Sequence, residues 1–168
     1  GKLGRYAHRW PYLGADGQLQ GYQCRFDLPG GKEFRPLRYG VRKSRLGWHW
    51  KGWTDGRPLY RLPALGAQPD APVLVVEGEK AADAADGAFP KHVVVSPMNG
   101  AQSPHRTDWS PLAGRIVTVW PDADEPGREF ALKVAKLAKD AGAATVWIVT
   151  VPDGAPEGWD LADTLPGG

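Results

Sequence analysis

Two short β-branched runs in this chain each stop at a cluster of carboxylates, and each cluster opens a helical pattern. The first run is Pro72-Val73-Leu74-Val75-Val76, followed by Glu77-Gly78-Glu79-Lys80. The second is Arg115-Ile116-Val117-Thr118-Val119, followed by Trp120-Pro121-Asp122-Ala123-Asp124-Glu125-Pro126-Gly127. Short apolar runs without alternation are the pattern of strands buried on both faces of a parallel sheet. Carboxylates just past the carboxyl ends of such strands project into the crevice where open α/β sheets hold ligands. Asp122 and Asp124 lie two apart, so an extended segment points them the same way. With Glu77 from the other strand end they supply three hard oxygen donors, the usual means of holding Mg²⁺ beside substrate phosphates. A purely structural role competes, with Glu77 and Glu79 favouring a helix N-terminus and Asp122 serving as an N-cap.

The rest of the second half repeats the alternation. It predicts strands at about 73–77, 92–96, 115–120 and 144–150, with helices at about 79–87 and 125–141. In the second helix Phe130, Val134, Leu137 and Ala138 share a face, Lys133, Lys136 and Lys139 lie mostly opposite, and Gly142 ends it. Spacing of this kind favours a parallel sheet with right-handed crossovers.

Residues 1–63 read differently, as small twisted β structure. Asp16-Gly17 predicts a hairpin, and Pro29-Gly30-Gly31 a second turn leading into 32–39. Residues 40–47 are basic without clear periodicity and read as a mobile loop; 64–71 read as a connection. Trp48, Trp50 and Trp53 invite stacking on single-stranded bases, but aromatics at alternate strand positions are more often buried, so at least two are expected in the core. Cys24 is the only cysteine; within these residues that excludes a disulfide and a Cys-rich zinc site, and a strand cysteine is expected to be buried and inert.

A chain of 168 residues suits one domain, or one with a small appended subdomain. The first residue is Gly1 and the last three are Pro166-Gly167-Gly168, so a segment of a longer protein is expected. No apolar run approaches the ~20 residues of a membrane span, and no signal peptide is visible, which points to the cytoplasm and no membrane partner. The net charge of +2 conceals a polarity: residues 1–63 hold thirteen Lys and Arg against four Asp and Glu, a balance of +9, whereas 64–168 hold eight against fifteen, a balance of −7. A basic unit joined to an acidic one suits a phosphate-handling enzyme, one part holding a polyanion and the other the metal. Arg35, Arg38, Arg42, Lys43, Arg45 and Lys51 are the candidate contacts to template and triphosphate; Lys80, in a first helical turn, ranks behind them. His105 sits in a loop with no triad partner. No Gly-x-x-x-x-Gly-Lys-Ser/Thr occurs, so these residues encode no helicase motor.

Taken together, Glu77-Gly78, Asp122-Ala123-Asp124 and Gly127, each motif after its own strand and before its own helix, resemble the TOPRIM domain shared by topoisomerases and bacterial-type DNA primases. The resemblance to those primases covers nearly the whole chain. Their small basic β subdomain is echoed by Gly21-Tyr22-Gln23-Cys24-Arg25-Phe26, by Lys32-Glu33-Phe34-Arg35-Pro36 and by Leu59-Tyr60-Arg61-Leu62. Asn99-Gly100-Ala101 resembles the family's Gly-containing turn, and Pro152-Asp153-Gly154 with Asp160 its acidic tail. Ala81 stands where these primases often carry an Asp, and Ala162 two residues after Asp160 where they carry a second acid, with Asp163 next to it; Lys51 or Arg57 only approximates a family lysine. These departures place the chain with divergent primases of plasmids, phages and integrated elements.

The resemblance implies a Rossmann-like TOPRIM parallel sheet with helices over 72–168, preceded by a basic β-rich subdomain over 1–66. It implies primer synthesis by metal-dependent nucleotidyl transfer, with a single-stranded DNA template, ribonucleoside triphosphates and a replicative helicase or helicase domain as partners. Mg²⁺, with Mn²⁺ as a substitute, is the implied cofactor. Asp122 and Asp124 are assigned as ligands, Glu77 as a third ligand or the base that accepts the hydroxyl proton, and Asp160 as a helper of a second metal. A TOPRIM nuclease or topoisomerase fragment, and a non-catalytic nucleic-acid-binding TOPRIM module, are the alternatives. The basic β unit before Glu77 favours primase over the first, and retention of all three acids argues against the second.

Overall fold

The computed structural model describes residues 4–54, 56–151 and 154–163. Two four-stranded sheets divide the work. In the first, β1 (His8–Leu13), β2 (Leu19–Leu28), β3 (Gly31–Arg42) and β4 (Arg45–Trp50) form an antiparallel meander in sequence order. The hairpin expected at Asp16-Gly17 is present, with Gly17 at φ 77° and the Asp16 carboxylate accepting the Gln18 N–H at 3.0 Å.

Residues 40–47 are not the expected loop. Strand β3 runs on to Arg42, and β4 starts at Arg45. Lys43 and Ser44 make the turn with φ 47° and 61°, the left-handed pair that matches the twist of a two-residue hairpin. Such turns are usually signalled by Asn-Gly or Asp-Gly, and Lys-Ser gives no such signal.

After a short helix α1 (Leu62–Ala67), which overlaps the expected connection, the chain enters the second sheet. Its elements are β5 (Val73–Val75), α2 (Glu79–Ala88), β6 (Val93–Val95), three 3₁₀ turns, β7 (Ile116–Val119), α3 (Glu125–Asp140) and β8 (Thr145–Ile148). All four strands are parallel in the order β6-β5-β7-β8. The fold class is therefore as expected, an α/β parallel sheet with helices preceded by a β-rich unit. From β5 the chain goes out to β6 and then returns to β5's other side as β7, so the strand order reverses between β5 and β7. Their carboxyl ends flank the switch point, the place where such sheets open a ligand crevice.

The faces of the sheet sort by alternation. Val73, Val75, Val117 and Val119 pack with Phe130, Val134 and Ala138 of α3. Leu74, Val76 and Val94 turn the other way, onto Ala81, Ala82 and Ala85 of α2. Because α2 offers only alanines here, Trp10, Tyr12, Trp53 and Tyr60 reach into the same cluster and dock the antiparallel sheet on it. Gly21 is required by this packing: a Cβ there would fall 2.7 Å from the Trp53 ring and 2.6 Å from the Leu37 carbonyl oxygen. Trp53 is thus core, but Trp48 and Trp50 are not, being 45% and 49% exposed. The expectation of two buried tryptophans fails because both point away from the docked face, where no element among the described residues covers them. Cys24 is buried as expected.

Polar contacts complete the joint. The Tyr12 hydroxyl donates to Glu79 Oε1 at 2.7 Å, and both groups are buried. Asp83 accepts from the Tyr60 hydroxyl at 2.8 Å and from Trp10 Nε1 at 3.0 Å. Gln23 Nε2 donates to Asn99 Oδ1 at 2.6 Å. Burial pushes the carboxyl of Glu79 above the usual carboxylate range, and the Tyr12 hydrogen bond opposes that shift. Among the described residues no helix is long and apolar enough to cross a membrane. Pro152 and Asp153 of the acidic tail lie outside the described residues.

Replacing Tyr12 by Phe should destabilise the protein by about 1–3 kcal/mol, because Glu79 loses a donor it cannot replace from water. Tyr60→Phe should cost less, since Asp83 is exposed. Urea unfolding reads both; equal midpoints for Tyr12→Phe and wild type would show that Glu79 does not depend on this bond.

Candidate active site

Glu77 follows β5 and Asp122 follows β7, so the switch point carries one acid on each flank. Both line a cleft of ≈ 570 Å³ between the two sheets. From the parallel side come Glu77, Gly78, Glu79, Lys80, Asp122 and Asp160; from the antiparallel side come Gln23, Lys32 and Phe34. The floor of the cleft is the turn at Asn99-Gly100. Gly100 has φ 48°, and a Cβ there would lie 3.0 Å from the Glu77 carbonyl oxygen, so this turn presses against the backbone that carries the acid.

The second acidic motif is held as tightly. A Cβ on Gly127 would fall 2.3 Å from the Asp122 carbonyl oxygen and 2.9 Å from its nitrogen, so glycine lets α3 begin directly against the motif. The tail clamps it from the other side, with the Ala123 N–H donating to the Trp159 carbonyl at 2.9 Å. Asp124, and not Asp122, is the N-cap of α3: its Oδ1 accepts the Gly127 N–H at 2.6 Å. That capping role leaves Asp122 free to face the cleft.

Crowding shows in the proton affinities. Burial raises Glu77 to about 7, the Asp122 backbone N–H opposes this, and the charges of Asp124 and Asp160 add to it. Asp122 is raised to about 8, first by burial, then by Glu77, Asp160 and Asp124. Glu77 Oε1 is buried and has no hydrogen-bond partner. Carboxylates pushed up by desolvation and by one another are a recurrent property of reactive sites. Among the described residues, no three His, Cys, Asp or Glu side chains converge closely enough to hold a metal ion.

The other expected site residues scatter. Lys80 lines the cleft, 3.7 Å from Asp163. Arg35 is paired with Glu33, and it shares a shallow depression with Lys51 and Phe34. Arg38 lies over the Trp53 ring, 4.7 Å from its centroid, part of the packing between the sheets. Arg42, Lys43 and Arg45 crown the β3–β4 hairpin. His105 is exposed and outside the cleft. Gln23 and Phe34 carried no signal as site residues; only the register of β2 and β3 aims them, with Lys32, at the acids.

No protein-family model matches the sequence, and a search of curated proteins gives no significant match. The fold does match solved structures. A structure of the bacteriophage T7 lagging-strand DNA polymerase with primase domains of two gp4 subunits, bound to an RNA/DNA hybrid and dTTP, superposes at TM-score 0.57 and 18% identity over 86% of this chain and 65% of that one. The Aquifex aeolicus primase, comprising zinc-binding and RNA polymerase domains, matches at TM-score 0.57 and 20% identity over 92% of this chain and 35% of its own. The DnaG catalytic core matches at TM-score 0.54 and 19% identity, over 92% and 46%. At these identities the likeness is one of fold: the chain has the architecture of a primase catalytic core, and it spans between about a third and two thirds of the length of these proteins.

Both Glu77 and Asp122 are raised above their unfolded values, so the protonated carboxyls stabilise the fold at low pH. That contribution is complete below about pH 4 and is lost as pH climbs through about 7 and 8. In metal-free buffer, Glu77→Gln should therefore gain melting temperature relative to wild type between about pH 5 and about pH 8. A difference that stays constant with pH would refute the crowded-carboxylate account.

Proposed function

We propose that the chain is the catalytic core of a DNA primase, a nucleotidyltransferase that makes short RNA primers on single-stranded DNA. The observation that carries this reading is the cleft itself, where Glu77, Asp122 and Asp160 face Lys32 and Phe34 across a joint between an acidic and a basic unit. Its architecture is that of primase cores, one of them seen with an RNA/DNA hybrid and dTTP. The division into a basic β unit over 1–66 and a TOPRIM unit over 72–168, and descent from a plasmid, phage or integrated element, belong to the same proposal, as does a helicase partner.

Two of the expected ligands, Glu77 and Asp122, share the cleft and offer their oxygens to a hard divalent cation. Glu77 Oε1 is a buried oxygen without a donor; the charges of Asp124 and Asp160 raise Glu77, those of Glu77 and Asp160 raise Asp122, and a cation would relieve that crowding. Glu77 and Asp122, supported by Asp160 and by the charge of Asp124, would hold Mg²⁺ or Mn²⁺. Bound there, the ion supplies neutralisation of phosphate charge and a lowered pKa for an attacking hydroxyl.

The chain's own residues account for the rest. Lys32 and Lys80 reach the cleft from opposite walls and bind phosphate oxygens without reading sequence. Glu77, with a proton affinity near 7, is matched to accept the 3′-hydroxyl proton at working pH. Ligand and base remain alternative roles for this one side chain.

Glu77→Gln in the full-length protein should lower primer synthesis on single-stranded DNA, read with labelled ribonucleotides, by ~10²–10⁴-fold or more. Folding and template binding should be intact. Asp124→Asn should also lose activity while keeping the α3 cap, because Asn caps as well as Asp; retained activity would restrict Asp124 to the helix. Mn²⁺-soaked crystals should show an anomalous peak at Glu77 and Asp122, and a well-occupied peak elsewhere with none here would defeat the metal assignment.

A further inference from the structure

Gln23 stands on the docked face of β2, opposite Trp10 of β1 and Pro36 of β3, and no part of it reaches solvent. Its surroundings are those of an apolar joint, yet the side chain is an amide satisfied at one end. Nε2 donates to Asn99 Oδ1 at 2.6 Å, and Oε1 is buried with no hydrogen-bond partner. A half-satisfied buried amide costs stability that an aliphatic side chain of similar size would not. The joint does not need it as a clasp, because Tyr12 on Glu79, and Tyr60 and Trp10 on Asp83, already tie the sheet to α2. Polar groups kept at a cost to stability cluster where a site needs them.

What the amide holds is a strained turn. Asn99 has φ 65° and Gly100 φ 48°, two successive left-handed residues shortly after β6 ends. Asparagine tolerates that conformation, but it persists only where the surroundings impose it. The turn's own backbone bonds are long, 3.3 Å from the Gly100 N–H to the Pro97 carbonyl and 3.2 Å from the Gln102 N–H to the Asn99 carbonyl. The bond from Gln23 is the shortest of the three. Gly100 in turn abuts the Glu77 main chain, so closely that a Cβ would lie 3.0 Å from the Glu77 carbonyl oxygen. Just before it, the Val76 N–H donates to the Val95 carbonyl at 3.1 Å. The backbone that carries the acid is therefore held by β6 and by the turn after it, and Gln23 links that turn to the antiparallel sheet.

We infer that Gln23 is a positioning residue for Glu77: through Asn99 it keeps the 99–100 turn against the main chain of the acid, so the seating of the antiparallel sheet sets where the carboxylate stands. Gln23 makes no hydrogen bond to the Glu77 carboxyl and acts through the turn. A reacting group misplaced by about 1 Å can cost ~10²-fold in rate, which gives the device its value. The inference rests on the reading of Glu77 as ligand or base of the cleft, and its test locates Glu77 without relying on synthesis.

The experiment compares wild type with Gln23→Leu, Asn99→Gly and the double variant of the whole chain. Leucine fills the place of Gln23 without a donor, and glycine takes the left-handed backbone of Asn99 without an acceptor. Gln23→Leu should melt at or above wild type, because it removes the orphaned amide oxygen. Its crystals should show the 99–100 turn and the Glu77 carboxylate displaced from their wild-type positions. Mn²⁺ affinity, read by electron paramagnetic resonance, should fall about 10- to 100-fold in either single variant, the range for losing the support behind a metal ligand. The double variant should fall no further, since the two residues form one link. Asn99→Asp keeps both the acceptor and the turn, and should hold Mn²⁺ at least as tightly as wild type. The inference is overturned if Gln23→Leu leaves the turn and Glu77 in place, or if Asn99→Asp loses as much affinity as Asn99→Gly. It is equally overturned if Gln23→Leu melts lower and retains wild-type affinity, the behaviour of a contact that only holds the joint. If wild type binds no Mn²⁺, the cation assignment of the proposed function fails, and the position of Glu77 in the Gln23→Leu crystals decides the inference alone.

Discussion

Everything functional in this molecule depends on how the antiparallel sheet is seated on α2. The seat is apolar, an alanine face filled by Trp10, Tyr12, Trp53 and Tyr60, and its register is set by the Tyr12–Glu79 hydrogen bond. Burying a carboxylate is expensive unless its hydrogen bonds are met, so few arrangements other than this one satisfy Glu79. Glu79 stands two residues after Glu77, at the start of α2. Whatever anchors the first turn of that helix therefore anchors the acid beside it, and whatever orients the sheet aims Gln23, Lys32 and Phe34 at the same space. The cleft is a property of the joint, and neither unit contains it alone.

On the acidic wall the governing force is repulsion. The chain places Glu77, Asp122, Asp124 and Asp160 near one another and pays for it with raised proton affinities at the two most enclosed positions. Close backbone packing makes this possible: Gly127 admits α3 against Asp122, and Gly100 admits a turn against Glu77. The two aspartates of the second motif then divide their duties. Asp124 satisfies an orphan amide of α3, which is an ordinary capping role, while Asp122 is left facing the cleft. A motif of two acids spaced by one residue thus serves structure and site together.

The opposite side of the molecule follows a different logic. The cations of the four antiparallel strands lie on both faces of one sheet. Lys32 lines the cleft, Arg38 is committed to packing on Trp53, Arg35 is neutralised by Glu33, and the hairpin cations are unopposed. Similar residues in one short segment therefore have four distinct environments, set by strand alternation and by distance from α2.

The alternation of buried strands and helices was legible from residue 72 onward, with element ends within a few residues. So were the two acidic motifs and their place after strand ends. These are local facts: an apolar run without alternation has to be covered on both sides, and carboxylates beyond it have to sit at its end. The Lys43-Ser44 turn was not legible, because a left-handed pair lacking Asn or Gly is stabilised by the strands it joins and not by its own residues. Nor was the fate of the tryptophans, since Trp48, Trp50 and Trp53 all fall within six consecutive residues. Which of them is buried depends on which face meets α2, and that contact joins residues separated by tens of positions along the chain. The sequence by itself determined the acids, the parallel sheet and the charge polarity. Only the tertiary structure decided that Asp124 caps while Asp122 faces the cleft, that Gln23, Lys32 and Phe34 complete the cleft, and that an aromatic face remains open, because each of these turns on which surfaces the folded chain brings into contact.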